Sequence, residues 1–193
     1  MTPELNPIAL DAGWNLIGYL RLEPADASAV LADISASGNL IIAKDYAGNT
    51  YLPEFNFNGI GDFVPGQGYQ LKINNDAVLN YLSNEDSYRI SSVDITKNTS
   101  SHFKTTSITD NNMVIVMPDA CWDTLPKEGA EITAYDSFGT RVGSVKYTSP
   151  VTVLTVWGDD ALTSSKDGLN ATEVSSFKLW SNNQTSTFEV TKW

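Results

Sequence analysis

The stretch LPEFNFNGIGDFVPGQGYQLKI, Leu52 to Ile73, decides how this chain is read. Pro53 and Pro65 bracket an irregular segment containing Gly59, Gly61, Gly66 and Gly68, and from Tyr69 the side chains alternate through Leu71 to Ile73. That alternation writes a β-strand. The Gly-Gln-Gly of residues 66–68 therefore opens a strand, whereas a phosphate-cradling loop must open a helix. GIGDFV likewise lacks the G-x-G-x-x-G spacing, which leaves tight turns needing positive φ as the physical reason for these glycines. Tyr51, Phe55, Phe57, Phe63 and Tyr69 crowd the same region. Packing of a small core accounts for most of them, and an exposed ring stacked on a partner or a sugar accounts for the rest. Tyr51, Phe55 and Phe57 are the contact residues expected here.

Upstream, GWNLIGY carries apolar residues on both faces of a strand. EPADASAVLADISASG then places Ala27, Val30, Leu31 and Ile34 on one helical stripe, with Pro24 at the entry and Gly38 at the exit. A strand over Leu40 to Lys44 follows, and Asp45-Tyr46-Ala47-Gly48 has the chemistry of a type I turn. Residues 1–75 thus read as a small α+β module. Residues 76–87 read as a connector with one helical turn at Val78, Leu79 and Leu82. From Tyr88 the period changes to two: Met113, Ile115 and Met117 alternate, as do Ile132 and Ala134, Val151 and Val153, Phe177 and Leu179, and Phe188 and Val190. Asp136-Ser137-Phe138-Gly139 repeats the earlier turn chemistry. Seven or so short strands are expected over 88–193, arranged as an antiparallel β-sandwich or jelly roll. The fold class is mainly β.

The 193 residues carry a net charge of −11. Three basic and ten acidic residues lie before or at Glu85, nine and thirteen after it, so both halves are acidic. Phosphate backbones and anionic membranes would be repelled, which excludes nucleic acid as a partner class. Cys121, between Ala120 and Trp122, is the single cysteine and reads as a small buried thiol. His102 is the single histidine and has no G-x-S-x-G serine to serve. MTPELNPIALDAGW has neither the basic nor the apolar region of a signal peptide. The apolar runs Leu40–Ala43 and Met113–Met117 are far shorter than the roughly 20 residues that span a bilayer, so no membrane insertion is expected.

WGDDALTSSKDGLNATE, Trp157 to Glu173, holds the densest chemistry. Asp159, Asp160, Asp167 and Glu173 gather oxygen ligands of the kind calcium takes, and Asp136 can approach from its own turn. The spacing is not that of an EF-hand, and carboxylates also cap turns. Trp157 and Trp180 are the rings that would stack on a sugar beside this loop. Paired carboxylates such as Glu54 with Asp62, or Glu128 with Glu131, have the groups of a glycosidase but no distinguishing spacing. No catalytic residue is assigned.

GWNLIGY with LIIAKDYAGNTYLPEFNFNGIGDFVPGQGYQLKI resembles a module repeated in large secreted and surface proteins of marine Bacteroidota-type bacteria. NNMVIVMPDACW, AYDSFGTRVGSVKY and LTVWGDDALTSSKDGLNATEVSSFKLW are similar to the β-rich module that accompanies it, and marine phage virion proteins carry similar modules. The resemblance implies an extracellular, non-catalytic role: a structural, display or adhesion module of a bacterial surface protein or of a virion decoration, tail or fibre. Its partners would be other subunits of that assembly, a second copy of the chain among them, and cell-surface glycan. Carbohydrate binding, with calcium as cofactor, is the alternative, and an enzyme acting on glycosides the remote one. The structural reading expects a contiguous apolar patch, and the carbohydrate reading an exposed Trp or Tyr beside residues 159–173.

Overall fold

The computed structural model describes residues 5–85, 100–104, 107–173 and 175–191. The chain divides into two compact units, Met1–Ile95 and Thr96–Trp193. Both are built mainly from antiparallel strands, and the chain as a whole has the mainly β character expected of it. The expected start of the second strand series at Tyr88, and Trp193, lie outside the described residues. Among the described residues no helix is long and apolar enough to cross a membrane.

The first unit runs β1 (Ile8–Leu10), β2 (Gly13–Gly18), β3 (Ala25–Asp26), α1 (Ala27–Val30), α2 (Ala32–Ala36), β4 (Leu40–Lys44), β5 (Thr50–Leu52), β6 (Phe57–Asn58), β7 (Asp62–Phe63), β8 (Gly68–Ile73) and β9 (Ala77–Leu79). Five strands form one sheet in the order β2-β8-β4-β5-β6, and the pairs β1-β9 and β3-β7 flank it. Period-two alternation sends Ile17, Ala43, Tyr51, Leu71 and Ile73 to the inner face. The helical stripe Ala27, Val30, Leu31 and Ile34 joins them in the core. The helix is not continuous: it breaks at Leu31 and begins at Asp26 rather than Pro24. Asp26 decides the start, because its carboxylate accepts the Ser28 N–H at 2.8 Å. Gly38, at φ +68°, ends the second segment while Asn39 N–H reaches back to Ile34 O at 3.1 Å.

Val78 and Leu79 belong to a strand, not to the helical turn expected there. Ile8 faces Leu79 and Leu10 faces Ala77 across the β1-β9 ladder, and Leu79 is buried while Val78 points outward. Strand pairing wins because the amino-terminal segment otherwise has no partner for its backbone. The expected turn at Asp45 forms as written, with Gly48 N–H donating to Asp45 O and Gly48 at φ +81°. Phe63 and Tyr69 stack at 3.7 Å, and Tyr19 meets Phe63 and Tyr81 edge-on at 5.6 and 5.5 Å.

The second unit contains β10 (Asn112–Pro118), β11 (Glu131–Tyr135), β12 (Arg141–Lys146), β13 (Val151–Trp157), β14 (Ser176–Ser181) and β15 (Gln184–Phe188). These are six strands among the described residues. β10 and β13 pair along seven residues, and the others form a four-stranded sheet in the order β12-β11-β14-β15. The two sheets approach closely at Gly143, where a Cβ would stand 2.4 Å from Thr155 O. Ile132, Ala134, Val142, Leu154, Val156 and Phe177 fill the core between them. The turn at Asp136–Gly139 repeats the geometry of Asp45–Gly48, with Gly139 at φ +84°. Cys121 is exposed, not buried as expected. The one-turn 3-10 segment Asp119–Cys121 directs the Asp119 carboxylate to accept from Tyr147 Oη and Ser149 Oγ. Trp122, one residue on, packs in the thiol's stead against Tyr147 and Phe188.

Glu131 begins the central strand β11 and is 1% exposed. Its two oxygens accept from the N–H groups of Ser101, His102 and Phe103 at 2.8–3.0 Å and from the hydroxyls of Ser100 and Ser101. Burial alone would raise this carboxyl; the Ser100 hydroxyl and the Phe103 and Ser101 N–H groups together outweigh it and hold the pKa at about 2.

Two outcomes follow from this packing. Phe63→Ala should cost about 3–5 kcal/mol of stability in urea denaturation, the usual result of emptying a fully buried aromatic site. Glu131 binds its proton more weakly when folded, so its contribution is complete above pH 4.5 and fades as pH falls toward 2. Glu131→Gln should therefore destabilise by roughly 2–4 kcal/mol at pH 7, and flatten the acid limb of a melting-temperature profile between pH 5 and 2.

Candidate functional site: a glycine-floored trough on the first sheet

The acidic loop after Trp157 does gather its carboxylates, but each is engaged within the loop. Asp159 accepts the Asp167 N–H at 2.8 Å, Asp160 accepts the Leu162 N–H at 2.8 Å, and Asp167 accepts the Asp160 N–H at 3.1 Å. Gly158 and Leu169 form a parallel bridge, so close that a Cβ on Gly168 would stand 2.0 Å from Gly158 O. Asp136 does approach from its turn, as anticipated. It meets Glu173 around the ammonium of Lys166, which contacts both. The Ser137 hydroxyl, the Asn170 N–H and Lys166 hold the Glu173 carboxyl at about pKa 2. Lys166 stands where a bound cation would, and among the described residues no group of three or more His, Cys, Asp or Glu is placed to hold a metal.

Of the five expected contact aromatics, two are buried and three half-buried. Tyr51 is 7% exposed and Trp157 5%; Tyr51 points into the first core, while Trp157 follows the core residue Val156 and so lies on the other face of β13. Phe55 and Phe57 are half-buried, with the Phe57 ring lying under Gly59. Trp180 is half-buried and stacks on His102 at 4.5 Å and 12°, which gives the lone histidine a packing role. Beside the 159–173 loop the prominent exposed ring is Phe138, with Lys166 Nζ 4.9 Å from its centroid. Of the carboxylate pairs, Glu131 has both oxygens saturated, while Glu54, Asp62 and Glu128 are exposed.

A different surface carries the exposed aromatics. Trp14 is 53% exposed, Leu16 78% and Tyr46 71%. Trp14 and Leu16 occupy the outer face of β2, opposite Ile17. Across the β2-β8 ladder Trp14 faces Lys72, Leu16 faces Gln70 and Gly18 faces Gly68. One strand further, Lys72 faces Ile42 and Gln70 faces Lys44. The outer face thus presents two rows, Trp14-Lys72-Ile42 and Leu16-Gln70-Lys44, and a third row floored by two glycines. Lys44 and Lys72 place their ammoniums 5.5 and 5.7 Å from the Trp14 ring centroid. The result is an open trough of about 380 Å³ lined by Leu16, Lys44, Asp45, Tyr46, Gln67, Gly68 and Gln70.

The glycine floor has no local conformational cause. Neither Gly18 nor Gly68 has positive φ. A Cβ would meet nothing within 4 Å at Gly18, and only ordinary contacts, the nearest 3.6 Å away, at Gly68. Each glycine gives up roughly 0.5–1 kcal/mol relative to alanine, and a strand glycine of this kind marks a place where a ligand or another backbone comes close. The Asp45 carboxylate at the rim is occupied by the N–H groups of Ala47 and Asn49 and the Asn49 amide. A second depression of about 380 Å³ lies beside Asn111, Met113, Leu169 and Asn170 on the second unit. Neither depression brings two carboxylates together.

The sequence reading passed over Trp14, Leu16 and Tyr46. The available signal was the pair of glycines at the ends of two alternating strands, Gly18 after Ile17 and Gly68 before Tyr69. Two checks apply to the loop that it favoured instead. Millimolar calcium or chelator should leave the melting temperature unchanged. Lys166→Ala should lower stability by about 1–3 kcal/mol, because it leaves the Asp136 and Glu173 charges facing each other. Comparison with protein-family models, curated proteins and solved structures finds no match for this chain.

Proposed function

We propose that this protein is a non-catalytic adhesion or display module of an extracellular assembly, a bacterial surface protein or a virion component, and that it makes contact through the outer face of the β2-β8-β4 sheet. The observation that carries this reading is the trough with an unforced glycine floor, flanked by the exposed rings of Trp14 and Tyr46. Aromatic anchors beside a shallow polar groove are how contact surfaces concentrate binding energy. The resemblance of GWNLIGY and the following residues to modules of secreted surface and virion proteins supports the same role. The placement of the carboxylates supports a non-catalytic reading, since Glu131, Asp136 and Glu173 all serve local hydrogen bonds or the Lys166 ion pair.

The test is binding of the labelled full chain to intact marine bacterial cells and to immobilised polysaccharides, neutral and acidic. Saturable binding is expected. Trp14→Ala or Gly68→Val should weaken it at least tenfold, with far-UV circular dichroism and melting temperature little changed, since both positions face solvent. Absence of saturable binding, or binding indifferent to both variants, overturns the proposal.

A further inference from the structure

Among the described residues the four-stranded sheet of the second unit ends on β15, Gln184–Phe188. Asn182 and Asn183, at φ +51° and +59°, make the two-residue turn that joins it to β14. Such a turn makes Ser181 and Gln184 the first hydrogen-bonded pair, and alternation makes Leu179–Ser186 and Phe177–Phe188 the next. Thr185 and Thr187 fall between them, so their N–H and C=O groups point away from β14. Nothing else among the described residues bonds to either threonine, and the side chains of residues 184–187 are exposed. Free edges are normally blunted by charge, Pro, a bulge or a covering element. The opposite edge, β12, carries Arg141 and Lys146 at its ends and a bulge at Val142, between the pairs Ala134–Gly143 and Tyr135–Arg141. β15 has no such device. Its register against β14 is unbroken, and Gln-Thr-Ser-Thr-Phe contains neither charge nor Pro.

We propose that β15 is a self-association edge: two copies of this chain pair antiparallel about a two-fold axis through Ser186, joining their four-stranded sheets into one. Self-complementarity carries the choice of partner, because Thr-Ser-Thr reads alike in both directions about Ser186, as a two-fold interface requires. In this register Thr185 of each copy faces Thr187 of the other. Both residues turn their backbone groups outward, so each of the two pairs exchanges both N–H···O=C bonds, while Ser186 faces its own counterpart as a non-hydrogen-bonded pair. Facing threonines are favourable cross-strand neighbours. A foreign strand would gain nothing from this symmetry. Each copy carries a net charge of −11, and the register keeps those charges out of the junction: no ionised side chain enters the ladder, and Glu189 falls opposite Asn183 of the turn. The edge belongs to the second unit and makes no use of the sheet face assigned to adhesion above.

Sedimentation velocity of the full chain, from about 5 µM to about 500 µM, provides the test. A reversible dimer is expected with a Kd on the order of 100 µM, since so short a junction buries little surface. Ser186→Lys sets two ammoniums face to face on the axis and should weaken the dimer about fivefold or more. Thr185→Lys combined with Thr187→Glu places opposite charges across both threonine pairs and should tighten it roughly threefold to tenfold; within the chain the new carboxylate faces Lys178, so the hairpin gains no repulsion. Ser186→Cys in a Cys121→Ser background should give a disulfide-linked dimer on mild oxidation, because such facing residues stand about 4.5 Å apart at Cα. Gln184→Cys in the same background should not. A chain that stays monomeric over the whole range overturns the proposal. So does a dimer that Ser186→Lys leaves unchanged while circular dichroism shows the fold intact, since it then forms through another surface. If the chain is monomeric and Ser186→Lys instead abolishes its binding to cells, the edge takes a foreign strand and the second-copy assignment fails.

Discussion

The register of β2 against β8 is the constraint on which the first unit depends. Six consecutive pairs, from Gly13 opposite Ile73 to Gly18 opposite Gly68, decide which side chains point into the core and which point out. Because side chains alternate strictly, a slip of one residue would exchange the two faces. If β2 slipped, Ile17 would then meet water, and Trp14 and Leu16 would be driven toward the core. The aromatic cluster holds the register from inside: Tyr69 stacks on Phe63, Tyr19 packs edge-on, and the Tyr81 hydroxyl donates to Gly18 O at 2.7 Å. The proposed contact surface is the reverse side of that packing.

The second unit uses its charges differently. Glu131 is surrounded by five donors and anchors residues 100–103 to the central strand. Asp136 and Glu173 converge on Lys166, which joins the Asp136 turn to the loop after Trp157. In both places carboxylates serve architecture. A buried carboxylate costs several kcal/mol unless hydrogen bonds or a counter-charge replace its water, and these sites meet that need within the chain. In the first unit the buried Lys44 and the half-buried Lys72 instead lie against the exposed Trp14 ring.

The elements most legible in the sequence were those governed by neighbours along the chain. Asp45 and Gly48, like Asp136 and Gly139, make the same turn because the carboxylate bonds to the N–H groups two and four residues on. The stripe of Ala27, Val30, Leu31 and Ile34 is buried as its spacing requires, although the helix breaks within it. Errors arose where partners lie far apart in sequence. Val78 and Leu79 have the composition of a helical turn and become a strand because Ile8 and Leu10 lie beside them. For the acidic loop the sequence left turn capping and calcium both open; its aspartates accept local N–H groups, and the contact of Lys166 with Asp136, 30 residues away, is one that no local spacing shows.

Sequence alone determined the mainly antiparallel β character, the turns and most of the core, since period, turn chemistry and apolar content act over a few residues. Tertiary structure decided which aromatics face water. Trp157 and Trp14 both lie in strands with apolar neighbours, yet one is 5% exposed and the other 53%, a difference that the alternation along either strand does not carry. It also decided that Gly18 meets Gly68 and that Lys44 meets Lys72 at Trp14. Those encounters join residues 28 to 58 positions apart, and only the pairing of three strands brings them to one face.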